Sequence, residues 1–518
     1  MKLREPDVIS VYTEEGIKTN RNGINVIFNP GKKGLKVSVF SDSIPVRFVK
    51  LRWNFHPEEK RRNIKILGDD WERAYGTLEW RGIFPERCMP WYFLVSDNEF
   101  TEGFGVAVRP SALCFWQYDS SGVILWLDVR CGGKGVILNG RTLEACEIVF
   151  GEYAGVSAYE GGRQFCRLMA DKTRPVKAPV YGSNNWYYAY GKFTREEVIN
   201  DAKQLVSLTT GIKNPPYMVI DDGWQKYNCD SPWVPRDFFG SLPEMAKEIS
   251  GTGAIPGIWI RPLADYHYET GLNKPNHRLE REKGSLDPTN PEVLEYVKSL
   301  ARGIVSDGYR LIKHDYTTFD LFGNWGCFCA NTLTKDGWSF SNPNITSAEA
   351  VSDLYNAIRE AAGDAVVIGC NTISHLSAGV FELNRTGDDT SGFDWDRTRK
   401  FGVNTLAFRG IQHKAFYECD ADCVGITGKI PWELNREWLR LLSMSGTPLF
   451  VSCKPGICDS TQLEDLRIAF ERASVQNDEC IPLDWMYNAY PERYLINGRV
   501  EGFKWYDENP TNVFNPTI

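Results

Sequence analysis

The sequence predicts an antiparallel β-sandwich, then a (β/α)8 TIM barrel, then a short C-terminal β extension. Three observations predict this multidomain α/β plus all-β chain. Before about residue 178, short apolar segments alternate with turn signals. After it, strand, loop and helix repeat over roughly 275 residues, close to the ~250 typical of such barrels. The later strands are near-continuous apolar runs, as parallel strands covered on both faces require. The expected boundaries are 1–175 for the sandwich, 176–476 for the barrel and 477–518 for the extension.

In the first region GINVIFNP, GLKVSVFSD, VRFVKLRWNF, WYFLVSD, GFGVAVRP and VILWLDVR read as strands of a sandwich. In the second, the expected strands are Tyr181–Tyr187, Tyr217–Asp222, Ile255–Arg261, Tyr309–Tyr316, Ala365–Asn371, Phe381–Asp389, Thr405–Arg409 and Pro448–Cys453. Helices between them carry start signals. Thr194 with Glu197, Ser241 with Glu244, Thr346 with Glu349, and Thr461 with Glu464 have capping-box spacing. Asn290-Pro291 reads as an N-cap followed by proline at the first helical position. The fifth and sixth strands lie too close for a full helix between them. Periodicity does not show closure, so a doubly wound open sheet stays the alternative.

Composition bounds the function. Of 518 residues, 42% are hydrophobic and 24% charged, a globular balance. The net charge of −8 excludes the basic face that a nucleic-acid partner needs. No apolar run approaches the ~18 residues of a membrane span. The start, MKLREPDVISVYTEEG, has no apolar signal core, so a cytoplasmic protein is expected. The 14 cysteines are scattered and read as reduced thiols. Seventeen tryptophans suit a sugar-binding cleft, whose aromatics stack on apolar ring faces, but suit a large β core equally. A homo-oligomer stays open.

Barrel sites lie at strand C-termini. There the second strand ends in Asp221-Asp222-Gly223-Trp224 and the third in Trp259-Ile260-Arg261-Pro262. The fourth ends in Lys313-His314-Asp315-Tyr316 and the sixth in Arg385-Thr386-Gly387-Asp388-Asp389. Strand alternation puts Lys313 with Asp315, and Arg385 with Asp389, on inward faces. Period two fails once a strand ends, so Asp388 remains an alternative to Asp389. His314 is expected to point away into the core. A cation followed by a carboxylate on two strands suits glycosidic cleavage with retention. That chemistry needs an ionised nucleophile and a second carboxyl serving as acid and then base. One such aspartate alone reads as a helix cap; four polar strand ends together point to a site.

These motifs resemble the clan of retaining α-galactosidases (melibiases), glycoside hydrolase families 27 and 36. Family 36, with its raffinose-synthase-like members, is the nearer. The resemblance covers about 180–458, more faintly the sandwich, and implies the same two-domain layout. It rests on Asn185-Trp186-Tyr187-Tyr188-Ala189-Tyr190-Gly191-Lys192, where Trp186 would line the sugar pocket. It rests also on Asp221-Asp222-Gly223-Trp224-Gln225, whose carboxylates would hold the O4 and O6 hydroxyls. Lys313-x-Asp315 would supply a sugar-binding lysine and the nucleophile, Arg385-x-x-x-Asp389 a sugar-binding arginine and the acid/base. Ser445-Gly446-Thr447-Pro448 and Pro455-Gly456 resemble the eighth-strand region. Trp186, Trp224 and Trp259 are expected as apolar walls. The fifth-strand end, Cys370-Asn371-Thr372-Ile373-Ser374, departs from the family pattern. There Asn371 and Ser374 would leave room for a 2-acetamido group.

The implied activity is hydrolysis of terminal α-D-galactosyl residues from an oligosaccharide or glycoconjugate, without cofactor or metal. The alternatives are an α-N-acetylgalactosaminidase, an α-galactosyl transglycosylase and a non-catalytic sugar-binding barrel. Cys419-Asp420-Ala421-Asp422-Cys423 mixes soft and hard donors and suits no single metal well. Cys327-x-Cys329 and Cys453…Cys458 are thin ligand sets. The polar, aromatic stretches Asp69-Asp70-Trp71-Glu72-Arg73 and Leu78-Glu79-Trp80-Arg81 are not assigned to the site.

Overall fold

Two six-stranded antiparallel sheets face each other in the N-terminal part of the chain. The computed structural model describes residues 4–18, 23–56, 59, 63–273, 284–329 and 332–506. One sheet runs Gly16–Lys18, Val8–Thr13, Val46–Asn54, Gly122–Asp128, Leu113–Asp119, Met89–Pro90. The other runs Ile24–Pro30, Leu35–Ser41, Thr142–Ala154, Phe100–Val106, Tyr92–Ser96, Lys65–Gly68. All six apolar segments singled out in the sequence overlap strands. Alternation makes this core: in Val46–Asn54, Val49, Leu51 and Trp53 turn inward. On neighbouring strands of the second sheet Phe93 and Phe104 stack with centroids 4.8 Å apart, and across the gap Phe93 meets Trp116 edge-on at 5.8 Å. Helix Ala158–Met169, capped by Ser157, lies on the second sheet. Gly103 is required there, because a Cβ would stand 2.4 Å from the Phe165 ring.

The parallel barrel follows. Its strands are Tyr181–Asn184, Tyr217–Ile220, Ile255–Ile260, Leu311–His314, Val366–Gly369, Leu383–Arg385, a seventh in two pieces, and Leu449–Cys453. The seventh is Glu418–Asp420 plus Cys423–Ile426, broken by Ala421 and Asp422. Its first piece pairs with the sixth strand and its second with the eighth. The eighth pairs with the first, so the ring closes through this split strand. The open-sheet alternative is thereby set aside.

Three expectations need correction. Thr405–Arg409 is not a strand but helix, continuing a π-helical turn over Thr398–Asn404. It is buried all round between sandwich and barrel, and five residues are too few for periodicity to separate helix from strand. The strands are shorter than expected: after Asn184 the chain turns into helix Trp186–Ala189, and the sixth strand stops at Arg385. The last barrel helix, Ser460–Ala473, is capped by Asp459 with Gln462, not by Thr461 with Glu464. The expected caps at Thr194, Ser241, Asn290 and Thr346 are formed. Only the four-residue helix Ser374–Ser377 separates the fifth and sixth strands. A three-stranded antiparallel sheet, Cys480–Pro482, Arg493–Ile496 and Arg499–Gly502, forms the C-terminal extension. Its Trp485 lies edge-on to Trp80 of the sandwich, with centroids 5.3 Å apart. Residues 507–518 of the expected extension lie outside the described residues.

Candidate active site

A cavity of about 340 Å³ opens where the barrel strands end. Lys313 and Asp315 reach it from the fourth strand, two residues apart and so on one face. Asp315 just outlasts the strand: its N–H still donates to the Ile260 carbonyl at 2.9 Å. Its Oδ2 accepts from the Trp259 indole at 3.2 Å and its Oδ1 from the Tyr316 N–H at 2.7 Å. Lys313 is buried and donates to Asp221 Oδ2 at 2.7 Å. Burial alone would lower its pKa, but Asp221 and Asp315 outweigh it and hold the ammonium well above its ordinary value. Asn184 donates to the same Asp221 oxygen at 2.6 Å. Asp222 accepts the Cys229 thiol, a weak donor, at 2.8 Å on Oδ2.

Asp388 and Asp389 line the opposite side. Arg385 is buried beneath them and donates to Asp389 Oδ1 at 3.2 Å. It also pairs with Asp422 Oδ2 at 2.9 Å, at the break in the seventh strand. Asp422 adopts φ +72° there, and its Oδ2 also accepts from the Thr390 N–H at 2.8 Å. Burial pushes the Asp389 carboxyl up. Arg385, Arg73, Lys313 and Arg397 together pull it down to about 2. This carboxylate is therefore ionised near neutrality.

The sandwich supplies one wall. Ala74 accepts from the Asp388 N–H at 3.0 Å and donates to the Thr386 carbonyl at 2.8 Å, a parallel bridge onto the end of the sixth strand. Gly387 permits it, since a Cβ there would meet the Phe401 carbonyl at 2.0 Å. Arg409, from the helix beyond, pairs with Asp69 at 2.8 Å. Glu72, fully buried, accepts from the Gly326 N–H at 2.6 Å and from the Asn371 amide and the Tyr75 hydroxyl. Arg73 and Tyr75 thus face the cavity alongside Trp325 and Cys327 from the loop after the fourth strand.

The structure brings together Asp315, Asp389, Asp221, Asp222, Lys313, Trp186 and Trp259 on this cavity. Four expected contacts fall outside its lining. Trp224 is fully buried behind Trp259 and spends its indole N–H on the Trp259 carbonyl at 2.9 Å. Alternation does not extend past Ile220, so its inward direction could not be read from the strand. Asn371 is fully buried, its amide committed to Glu72 and its Oδ1 to the Phe319 N–H at 3.3 Å. Arg385 acts from below, through Asp389 and Asp422. Ser374 is likewise buried away from the cavity. His314 is buried and lies edge-on to Phe381 at 4.8 Å; burial lowers its pKa to about 4. Sequence reasoning missed Arg73, Tyr75, Trp325 and Cys229. The one available signal was the polar, tryptophan-rich run from Asp69, which a solvent-exposed loop does not need.

Among the described residues no three His, Cys, Asp or Glu side chains gather as a metal would require. In the run Cys419–Cys423, Cys419 donates to the Arg409 carbonyl, and Asp422 serves Arg385. No described helix is long and apolar enough to cross a membrane.

No family model matches the sequence. The α-galactosidase AgaA of Geobacillus stearothermophilus is 27% identical over 163 residues. That match covers 28% of this chain and 21% of AgaA, about a fifth of the relative's length. Among solved structures, TtGalA, an α-galactosidase from Thermus thermophilus in complex with p-nitrophenyl α-D-galactopyranoside, aligns with a TM-score of 0.62 at 15% identity. The alignment covers 95% of this chain and 98% of that one. The GH36 α-galactosidase AgaA of G. stearothermophilus, in complex with 1-deoxygalactonojirimycin, aligns at 0.59 and 12% identity over 90% of this chain and 75% of its own. This chain therefore shares the fold of those α-galactosidases.

Proposed function

We propose that this chain is a retaining glycoside hydrolase that removes terminal α-D-galactosyl residues. One observation carries the reading: Asp315 and Asp389, from the fourth and sixth strands, face one cavity whose other walls hold a buried ammonium, two further carboxylates and indole rings. A nucleophile, a proton carrier, hydroxyl partners and stacking faces are what glycoside cleavage uses. The shared fold with α-galactosidases supports it. So do the Asp221-Asp222-Gly223-Trp224 and Lys313-x-Asp315 motifs at the strand ends those enzymes would use.

In this reading Asp315 attacks the anomeric carbon while the departing oxygen takes a proton from Asp389. The resulting glycosyl ester is hydrolysed by water, which Asp389 deprotonates. The Trp259 indole and the Tyr316 N–H donate to the Asp315 carboxylate and hold it toward the cavity. Lys313, Asp221 and Asp222 orient hydroxyls, and Trp186 and Trp259 cover the apolar ring face. The cations around Asp389 favour its ionised form, the one the second step needs. For the first step it must take up a proton, which removal of water by the bound sugar promotes. Asn371 and Ser374 leave the cavity wall, and with them goes the observation that favoured a 2-acetamido substrate.

A 2-deoxy-2-fluoro or related mechanism-based α-galactosyl probe, followed by peptide mapping, is the test. Label on Asp315 is expected. Label on another carboxylate overturns the nucleophile assignment. Activity on nitrophenyl N-acetyl-α-galactosaminide above that on nitrophenyl α-galactoside overturns the sugar assignment. Galactosyl transfer exceeding hydrolysis at high sugar acceptor overturns the hydrolase assignment.

A further inference from the structure

The sandwich sends a guanidinium to the proton-carrying end of the cavity. Resting on the hydrolase reading above, we infer that Arg73 is a positioning residue that holds the carboxylates Asp388 and Asp389 in separate roles.

Consecutive residues of a strand point to opposite faces, yet Asp388 and Asp389 both line one cavity. The strand has ended at Arg385, so the backbone no longer separates them. Both acids face the same space, and the backbone alone does not set which of them carries the proton. Arg73 divides them. Its Nη2 lies 2.8 Å from Asp388 Oδ1 and its Nη1 lies 3.5 Å from Asp389 Oδ1. A planar guanidinium spans two acceptors in this way and an ammonium does not. Its own place is fixed: its guanidinium carbon stands 5.2 Å from the Trp325 ring centroid, and the Ala74 bridge pins its backbone to the strand end.

The distances assign the roles. Asp388 takes the short bond and has a second cation, Arg397, at 3.6 Å. It anchors the fork. Asp389 takes the long one, keeps 34% of its side chain exposed, and is free to exchange a proton. The charged and titratable groups around Asp389 are Arg73, Arg385 and its partner Asp422, Lys313, Arg397, Asp388 and the phenols Tyr187, Tyr190 and Tyr316. Arg73 alone among these comes from outside the barrel.

The test compares wild type with Arg73→Ala, Arg73→Lys and Asp388→Asn, each as the full chain. Two substrates are used, phenyl α-galactoside and a dinitrophenyl α-galactoside whose leaving group needs no proton. In wild type the pre-steady-state rate of leaving-group release at saturating substrate falls with rising pH as the acid, protonated once the sugar is bound, loses its proton. In Arg73→Ala the lost positive charge raises Asp389's proton affinity, so this fall moves to higher pH. The maximum on the phenyl substrate drops about 10- to 100-fold, within the range of acid–base assistance. The dinitrophenyl substrate loses at most about threefold, since little of that assistance is at stake there. Arg73→Lys restores only part. In Asp388→Asn the fall moves the other way, because a neighbouring negative charge is gone and Arg73 turns to Asp389. Equal losses on both substrates with an unmoved pH profile, or full rescue by lysine, overturn the inference. If Arg73→Ala does not fold, the direction of the Asp388→Asn shift decides alone. A wild type inactive on both substrates overturns the hydrolase reading itself. An active one with unmoved profiles overturns this inference only.

Discussion

Replacing Glu72 by alanine cuts the polar knot that joins the sandwich to the barrel. Three donors lose their acceptor: the Gly326 N–H, the Tyr75 hydroxyl and the Asn371 amide. Asn371 is fully buried, so its amide is stranded, at about 1–3 kcal/mol. Gly326 and Tyr75 are half-buried beside the cavity and can turn to water, which halves their cost. Against this, burial raises the pKa of the Glu72 carboxyl, so its removal returns part of a desolvation cost. The net loss is about 2–3 kcal/mol. For a domain of barrel size, at about 2–4 °C per kcal/mol, the barrel's unfolding should come roughly 4–12 °C earlier. Scanning calorimetry reads this, and amide exchange should report faster opening at Gly326 and across 69–76. The glutamine variant keeps one acceptor but turns an amide toward a second donor, so it should fall between wild type and alanine. An alanine variant melting within about 1 °C of wild type would refute the claim that these bonds hold the domains together.

Two further outcomes follow from burial and charge. Asp70 is half-buried, its Oδ2 is buried without a hydrogen-bond partner among the described residues, and desolvation raises its pKa to about 6. A carboxyl whose folded pKa exceeds its unfolded one stabilises fully below the unfolded value, about 4, and loses that contribution as pH rises through 6. Asp70→Asn should therefore raise the melting temperature at pH 8 and change it little at pH 4, and an equal shift at both would contradict this. Lys313→Met strands the Asp221 carboxylate in a buried site, a change worth about 3–5 kcal/mol. It should also cost at least about 100-fold in kcat/KM on nitrophenyl α-galactoside, the scale of a lost charge-stabilising donor. Retention of a tenth or more of the wild-type kcat/KM would show that the ammonium does not hold the sugar.

Much of this was legible from one-dimensional pattern. The sandwich strands announce themselves by inward Val49, Leu51 and Trp53, and Lys313 with Asp315 by their two-residue spacing. Patterns failed where the chain leaves a strand. Trp224 lies beyond Ile220, so no periodicity told it from a pocket wall. The seventh strand comes in pieces of three and four residues around Ala421 and Asp422, below what alternation can register. Arg73 escaped for a different reason: its partners are more than 300 residues away in sequence. Only the joining of two domains makes a charged stretch bury itself, and local sequence does not encode that joining.

The bridge between Ala74 and Gly387 has a practical consequence for engineering. A swapped or shuffled β-sandwich would arrive with its own version of 69–76 and would misplace the loop carrying both acidic side chains. Libraries aimed at new leaving groups should treat that segment as a ninth variable loop of the barrel, diversified together with 386–389. Crossover points for chimaeras belong outside both.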